Sequence, residues 1–167
     1  MFSLDDDHYR VRISILGYQY HDPSLHFYDL QWLRVRAEVE TDRFSFGRED
    51  PSVMTLQLKQ YIAWLQAWAE NAPGADGVFP FWDQTLRFHV ERQGAESTCL
   101  TVVLAYGLLD EARVPPDCLE DQELRLTFPD TSPRLLGLLA DEARDALTRF
   151  PIRGRHPDHN PNATRQT

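Results

Sequence analysis

A short aromatic segment near the start of the chain holds the side chains that could most easily bind a metal ion. His21 and His26 lie in it together with two acids, Asp22 and Asp29. Imidazole nitrogens and carboxylate oxygens are common zinc ligands, but these four residues lack the compact spacing of known zinc sites, and no cysteine joins them. We therefore expect no metal here. The segment is interpreted as a packed aromatic cluster at a strand edge, with a binding surface as the second interpretation.

Two further groups of ionisable residues are weaker candidates for chemistry. Glu38 and Glu40 alternate with arginines along one predicted strand, so cross-strand ion pairs explain them better than general acid–base catalysis does. His156 and His159 lie in a C-terminal tail that has no apolar period, and a mobile segment cannot preorganise a site. We therefore expect the two glutamates to be structural and the two histidines to be solvated.

The sequence contains none of the common catalytic or cofactor-binding motifs. No serine lies in a Gly-x-Ser-x-Gly elbow, and neither the Gly-x-Gly-x-x-Gly dinucleotide motif nor the Gly-x-x-x-x-Gly-Lys phosphate motif occurs. We therefore predict no catalytic residue, no cofactor and no enzymatic activity. Binding to another molecule is the expected function.

The strongest surface feature of the sequence is an acidic stretch around a Val114-Pro-Pro-Asp117 loop. The acids that we predict to form a partner-binding surface are Asp110, Glu111, Asp117, Glu120, Asp121 and Glu123. Loops held by a rigid scaffold often carry binding sites, and an acidic loop suits a basic protein. The alternative interpretation is a solvated connection between strands.

The charge balance indicates which kind of partner the chain could bind. Its 17 basic and 26 acidic residues give a net charge of −9, although the residues from Arg149 onward are locally basic. Nucleic-acid binding depends mainly on lysine and arginine contacts to phosphate, so we predict no nucleic-acid partner. A basic protein would be attracted, because opposite potentials accelerate encounter. Simple solubility is the other explanation of the acidity.

Length and composition are those of one ordinary globular domain. The 167 residues are 42% hydrophobic, and a chain of this size buries enough surface to fold without a metal or a disulfide. The two cysteines form no Cys-x-x-Cys pair. Because no signal peptide opens the sequence and no apolar run has the length of a membrane helix, we expect a cytoplasmic protein with no membrane partner. The oligomeric state stays open.

Apolar periodicity predicts the elements that must position these residues. Alternating residues indicate strands over 10–15, 32–40, 44–46, 84–92, 98–106 and 122–128, and three- to four-residue steps indicate helices over about 52–71 and 133–150. Short turns join consecutive strands, so we predict an α+β fold with an antiparallel sheet, the order β-β-β-α-β-β-β-α and two helices packed on the sheet. Residues 1–152 would form this single domain, and residues 153–167 a mobile, basic C-terminal tail.

Local signals mark where the two helices begin. Either Asp50, with Pro51 at the first helical position, or Ser52 is predicted to cap the first helix, and Ser132 is predicted to cap the second. Trp64 falls off the apolar stripe of the first helix. Either that helix is buried on more than one side, or Trp64 is exposed and supports self-association of a structural adaptor.

A second functional hypothesis uses four aromatic residues. Tyr18, Tyr20, Trp32 and Trp82 would line a pocket for a small ligand, or the chain would be an unrecognised hydrolase built on the same sheet. A deep, closed pocket with converging polar groups would support this alternative, whereas a flat or shallow acidic face would support protein binding.

Four groups of residues resemble the pattern of one known family. They are Asp29-Leu-Gln-Trp32-Leu33 at a strand entry, Phe44 and Phe46 before a helix with a Trp64-Leu65 pair, the Phe81 to Phe88 strand, and Phe150-Pro-Ile-Arg153 at the end of the last helix. Over about residues 10–153, the chain resembles the WapI-type immunity proteins, a bacterial family whose members neutralise the toxic C-terminal domains of polymorphic secreted toxins.

The resemblance implies a stable scaffold, a cytosolic location and a surface complementary to a toxin. Nuclease toxins tend to be basic because they hold a polyanion, so an acidic inhibitor could cover the toxin's active site electrostatically. Members of the family often carry a Pro-Pro-Trp-like segment where this chain has Pro115-Pro116-Asp117. This departure implies that the partner-facing loop of this chain differs from that of other members.

Overall fold

The computed structural model of the chain describes residues 2–72, 75, 77–93 and 98–154. Within these residues the elements are β1 (Phe2–Asp5), β2 (Tyr9–Tyr18), β3 (Trp32–Thr41), β4 (Ser45–Met54), α1 (Thr55–Ala69), β5 (Val78–Pro80), β6 (Leu86–Arg92), β7 (Thr98–Leu104), β8 (Leu119–Glu120), β9 (Glu123–Thr131) and α2 (Pro133–Arg149). Short 3-10 turns lie at Asp29–Gln31, Tyr106–Leu108 and Pro116–Cys118.

The strands form two antiparallel sheets, and the predicted α+β class is confirmed. One sheet has the order β1-β2-β3-β4 and the other β5-β6-β7-β9-β8. The prediction of one sheet missed this division, and it also missed β1, β5 and β8. These three strands are two to four residues long, which is too short to display an alternating pattern. Both helices nevertheless pack into one hydrophobic core with residues of the two sheets.

Burial follows the alternation that the sequence displays. In β3, the side chains of Leu33, Val35, Ala37 and Val39 are buried, while the arginines between them are exposed. β7 is buried on nearly every residue, as expected for a strand covered on both faces. Helices α1 and α2 pack against each other and contribute to the same hydrophobic core as the two sheets. Neither helix has both the length and the apolar character needed to cross a bilayer.

The predicted start of the first helix is wrong, because β4 continues through it. The register between β3 and β4 shifts so that Val35 pairs with Asp50 while Leu33 pairs with Val53, which leaves Pro51 and Ser52 in a bulge. A proline is tolerated there because β4 is an edge strand. The helix begins only at Thr55, and no side chain caps it.

The predicted start of the second helix is confirmed. The Ser132 hydroxyl accepts a hydrogen bond from the Leu135 amide at 3.2 Å, and Pro133 occupies the first turn. Trp64 is buried, with its ring 5.9 Å from that of Tyr61 and 5.6 Å from that of Phe79. The first helix is therefore buried on more than one side, and an exposed Trp64 for self-association is excluded.

A buried glutamine attaches the chain after α2 to the rest of the domain. The Gln31 side chain is fully buried, and its amide nitrogen donates to the backbone oxygens of Phe27 at 2.9 Å and Arg153 at 2.7 Å. Its amide oxygen accepts from the Arg153 amide at 3.2 Å. Of the predicted mobile tail, only Arg153 and Gly154 belong to the described residues; His156, His159 and the rest lie outside them.

Candidate partner-binding surface

The acidic loop, residues 110–123, connects β7 to β9 through two turns and a hairpin. Glu120 pairs with Glu123 across β8 and β9, so Asp121 and Gln122 form a two-residue turn. Both have positive φ, 51° and 65°, which is the geometry of a type I′ turn. The tip of this hairpin presents the exposed Asp121 carboxylate to solvent.

Backbone hydrogen bonds and one buried side chain hold the loop in place. The amides of Arg113 and Val114 donate to the Asp110 oxygen at 2.9 and 3.1 Å, and the Cys118 amide donates to the Pro115 oxygen at 2.9 Å. The Val114 side chain is 3% exposed and belongs to the core. The loop is therefore preorganised, so a partner would not have to order it.

Arginines from the first sheet and from the loop itself neutralise part of this acidity. The Arg43 guanidinium lies 3.0 Å from the Asp117 carboxylate, and this pairing lowers the pKa of Asp117. Arg113 lies 3.7 Å from Asp110 within the loop. Both arginines are largely exposed, so each pair contributes little to stability.

A second pair of arginines compensates the hairpin. Glu123 contacts Arg87 of β6 and lies 3.3 Å from Arg125, while Glu120 also lies 3.3 Å from Arg125. The side chains of Glu123 and Arg87 are only 16% and 14% exposed. The Arg87 hydrogen bond is the main reason that the pKa of Glu123 is lowered.

Six carboxylates therefore face four arginines, and two acids keep an uncompensated charge. Glu111 and Asp121 are exposed and have no ion pair within the described residues. Sequence reasoning found the six acids but missed Arg43, in the turn between β3 and β4, and Arg87, in β6. No local sequence signal identifies such partners, because the sheet topology brings them together.

Two of the four aromatic residues of the alternative hypothesis, Tyr18 and Tyr20, contact the chain after α2. The Tyr18 ring lies 5.8 Å from the Phe150 ring, the Arg153 guanidinium lies 4.5 Å from the Tyr18 ring centre, and the Tyr18 hydroxyl donates to the Pro151 oxygen. Arg153 also donates to the Tyr20 backbone oxygen at 2.9 Å. Trp32 is half-buried at the start of β3. The Tyr18 and Tyr20 contacts attach the chain after α2, whereas the Trp82 ring lies 6.2 Å from the Tyr28 ring.

Trp82 borders an open groove beside α1 with a volume of about 470 Å³. The groove is lined by Leu56, Gln57, Gln60, Pro80, Phe81, Trp82 and Gln84. The Trp82 amide donates to the Gln57 side-chain oxygen at 3.1 Å, which fixes the backbone at this position. The lining contains no ionisable side chain.

The histidine-containing segment shows local structural roles. The Asp22 carboxylate accepts hydrogen bonds from the Ser24 amide and hydroxyl, and the His26 ring stacks 5.5 Å from Tyr28. Within the described residues, no three histidine, cysteine or carboxylate side chains come together as a metal site would require.

A small, partly open apolar space also lies between the helices, the first sheet and the start of β6. It has a volume of about 40 Å³ and is lined mainly by core residues, with the buried Tyr61 hydroxyl among them. Ligand pockets usually measure about 300–1,000 Å³, so this space could hold water but not a typical small ligand.

A second exposed surface contains Trp82, which sequence reasoning named as a pocket residue, together with residues that it did not name. Trp82 and Tyr106 are 61% and 68% exposed, the largest exposed fractions among the big apolar side chains of the described residues. Asp83 lies next to Trp82, and Asp50 lies against Gly107, the residue after Tyr106. We call Asp50, Trp82, Asp83 and Tyr106 the aromatic edge.

Comparisons with known proteins identify the family to which the chain belongs. Neither a search of curated proteins nor a search of solved structures found a match. The family model described as the Immunity protein WapI-like family matches residues 1–151. Because this match covers nearly the whole chain, the chain belongs to the WapI-like immunity protein family.

Proposed function

We propose that this chain neutralises a secreted bacterial toxin by binding the toxin's catalytic domain and covering a basic active site. The family implies a toxin-neutralising role and a protein toxin as partner. We further propose that the toxin is basic, that inhibition needs no catalysis by this chain, and that the complex forms in the cytoplasm of the producing cell.

The observation that carries this proposal is the uncompensated acidity at the tip of a rigid hairpin. Asp121 stands at the turn between β8 and β9, and Glu111 is exposed on the same loop. The chain as a whole carries a net charge of −9. Opposite potentials accelerate encounter and fix the orientation of the partners, while they contribute less to affinity.

The four arginines that contact the acidic loop refine its expected role. Because Asp117, Glu120 and Glu123 already have arginine partners, a toxin cation would have to compete with those arginines for them. We therefore expect the loop to act mainly by steering, through Glu111 and Asp121, and to contribute little to the lifetime of the complex.

The test compares two charge-removing variants that have the same net charge. Glu111→Gln with Asp121→Asn removes the two uncompensated carboxylates of the loop, and Asp7→Asn with Asp145→Asn removes two exposed carboxylates elsewhere. The ligand is the C-terminal domain of a polymorphic toxin, to be sought in the gene immediately upstream of the one for this chain. Stopped-flow association at low and high salt measures the on-rate.

We expect the loop variant to associate several-fold more slowly at low salt, roughly the scale of local electrostatic steering, and the control to change less. Equal on-rates for the two variants and the unmodified chain would show that the loop does not face the toxin. Absence of any binding or protection by the unmodified chain would refute the function itself.

A further inference from the structure

The aromatic edge brings two exposed rings together with two carboxylates at one end of the second sheet. Leu86 of β6 pairs with Leu104 of β7, so the turn that holds Trp82 and the turn that holds Tyr106 lie side by side. A backbone hydrogen bond of 3.0 Å from Ala105 to Thr85 joins the two turns directly.

Both turns are held rigidly from within. The Asp83 carboxylate accepts hydrogen bonds from the Thr85 amide at 3.2 Å and from its hydroxyl at 2.9 Å. The Gln84 amide donates to the Phe81 oxygen at 2.8 Å, and the Leu108 amide donates to the Ala105 oxygen at 3.2 Å. Ordered rings that keep a large exposed area lose little entropy on binding.

The two carboxylates of the edge, unlike most acids of the loop, have no compensating cation. Among the described residues, no arginine or lysine lies within ion-pair distance of Asp50 or Asp83. Burial raises the pKa of Asp83, and the nearby Asp50 carboxylate adds to the rise. Asp50 accepts a 3.0 Å hydrogen bond from the Ser52 hydroxyl. This hydroxyl is neutral and does not compensate a carboxylate charge.

We propose that the aromatic edge is the principal toxin-docking surface, where Trp82 and Tyr106 pack against the toxin and Asp50 and Asp83 receive one of its arginine or lysine side chains. This inference rests on the proposed function. Charge complementarity identifies the occupant, because the edge combines unpaired carboxylates with aromatic faces, and both attract a cation. Tryptophan and tyrosine are also the residues that most often dominate binding energy.

The edge and the acidic loop would then have different roles. The loop accelerates encounter, whereas the edge determines how long the complex lasts, because well-packed aromatic residues act mainly on dissociation. The open, uncharged groove beside Trp82 offers the three amide side chains of Gln57, Gln60 and Gln84 to the backbone of the bound partner.

The test uses variants that leave the fold intact. Trp82→Ala removes one ring, and Tyr106→Asn removes the other ring at a residue whose φ is +46°, a conformation that asparagine tolerates. Leu138→Ala, which shortens a 51%-exposed apolar side chain on α2, is the matched control. Thermal unfolding confirms folding, and surface plasmon resonance measures binding to the toxin domain encoded upstream.

We expect Trp82→Ala to weaken the Kd by at least about thirty-fold, mostly through the dissociation rate, and Tyr106→Asn to weaken it without lowering the Tm. Leu138→Ala should stay within about three-fold of the unmodified chain. A variant that binds the toxin more weakly but is equally stable shows that the replaced residue contacts the toxin and does not merely support the fold.

Three outcomes would overturn the proposal. If the unmodified chain binds the toxin while Trp82→Ala and Tyr106→Asn bind equally well, the docking surface lies elsewhere and the proposed function stands. If light scattering shows a dimer that Trp82→Ala dissociates, the edge is a self-association surface. If the unmodified chain does not bind the toxin, the proposed function and this inference both fail.

Discussion

The fully buried Gln31 side chain binds both backbone polar groups of Arg153, 122 positions away in the chain. These two residues belong to two of the motifs that carry the family resemblance, Asp29-Leu-Gln-Trp-Leu and Phe-Pro-Ile-Arg. One contact thus joins these two motifs in the folded chain. It fixes the exit of α2 beside β3 through an amide that donates and accepts at once.

Replacing Gln31 should therefore destabilise the whole domain. Gln31→Leu keeps the volume but leaves the amide and the oxygen of Arg153 without their partners, at a cost of about 1–3 kcal/mol each when buried. Urea unfolding measures the change. Gln66→Leu, at an exposed position of α1, is the control and should change stability by less than about 0.5 kcal/mol. Equal stabilities for the two variants would contradict this role of Gln31.

The Glu123 carboxylate should make stability depend on pH in the acidic range. Its folded pKa is lowered, chiefly by Arg87, so its contribution is complete above the unfolded value of 4.5 and is lost as the pH falls through the folded value. Glu123→Gln should cost on the order of 1 kcal/mol at pH 7 and progressively less below pH 4.5. A cost that is the same at both pH values would disprove the linkage.

The Asp83 carboxylate should make stability depend on pH in the opposite direction. Its folded pKa is raised by burial, so stability falls as the pH rises from the unfolded value of 3.8 through the folded value. Asp83→Asn keeps an oxygen for Thr85 and should stabilise the free protein at pH 7, by on the order of 0.5 kcal/mol after solvent screening. The gain should vanish in acid. Urea unfolding at several pH values checks this, and a loss of stability at pH 7 would contradict it.

The hairpin tip carries a strain that a glycine would relieve. Gln122 has a φ of 65°, which non-glycine residues adopt at a cost of about 1 kcal/mol. Gln122→Gly should raise the free energy of unfolding by up to about 1 kcal/mol. The same substitution at Gln66, inside α1, should lower it by about 1 kcal/mol. Thermal unfolding of both variants tests the sign, and a destabilised Gln122→Gly would show that the turn is not strained.

The sequence predicted those parts of the fold that depend on neighbouring residues. Alternation located β3 and β6, and a serine before a proline located the start of α2. The same kind of local signal failed at Asp50-Pro51-Ser52, because pairing with β3 continues the strand through a bulge. Tertiary contacts outweighed a helix-capping signal that is worth only about 1 kcal/mol.

In the candidate surfaces, too, local sequence predicted some features and only the fold revealed the others. Counting charges was enough to find the acidic loop, but the partner of Asp117 lies 74 positions earlier, at Arg43, and only the fold brings them together. Tyr106 was not predicted to be exposed, because it follows a buried strand and its positive φ turns the chain. The aromatic edge therefore became visible only in the structure.

The most direct test of the central claim is a titration of toxin activity with this chain. A binding inhibitor should abolish the activity at a fixed stoichiometric equivalence, independent of incubation time, and the toxin should keep its mass and recover its activity when the chain is removed. Inactivation by substoichiometric chain, growing with time and leaving a chemically altered toxin, would contradict neutralisation by binding and identify the chain as an enzyme.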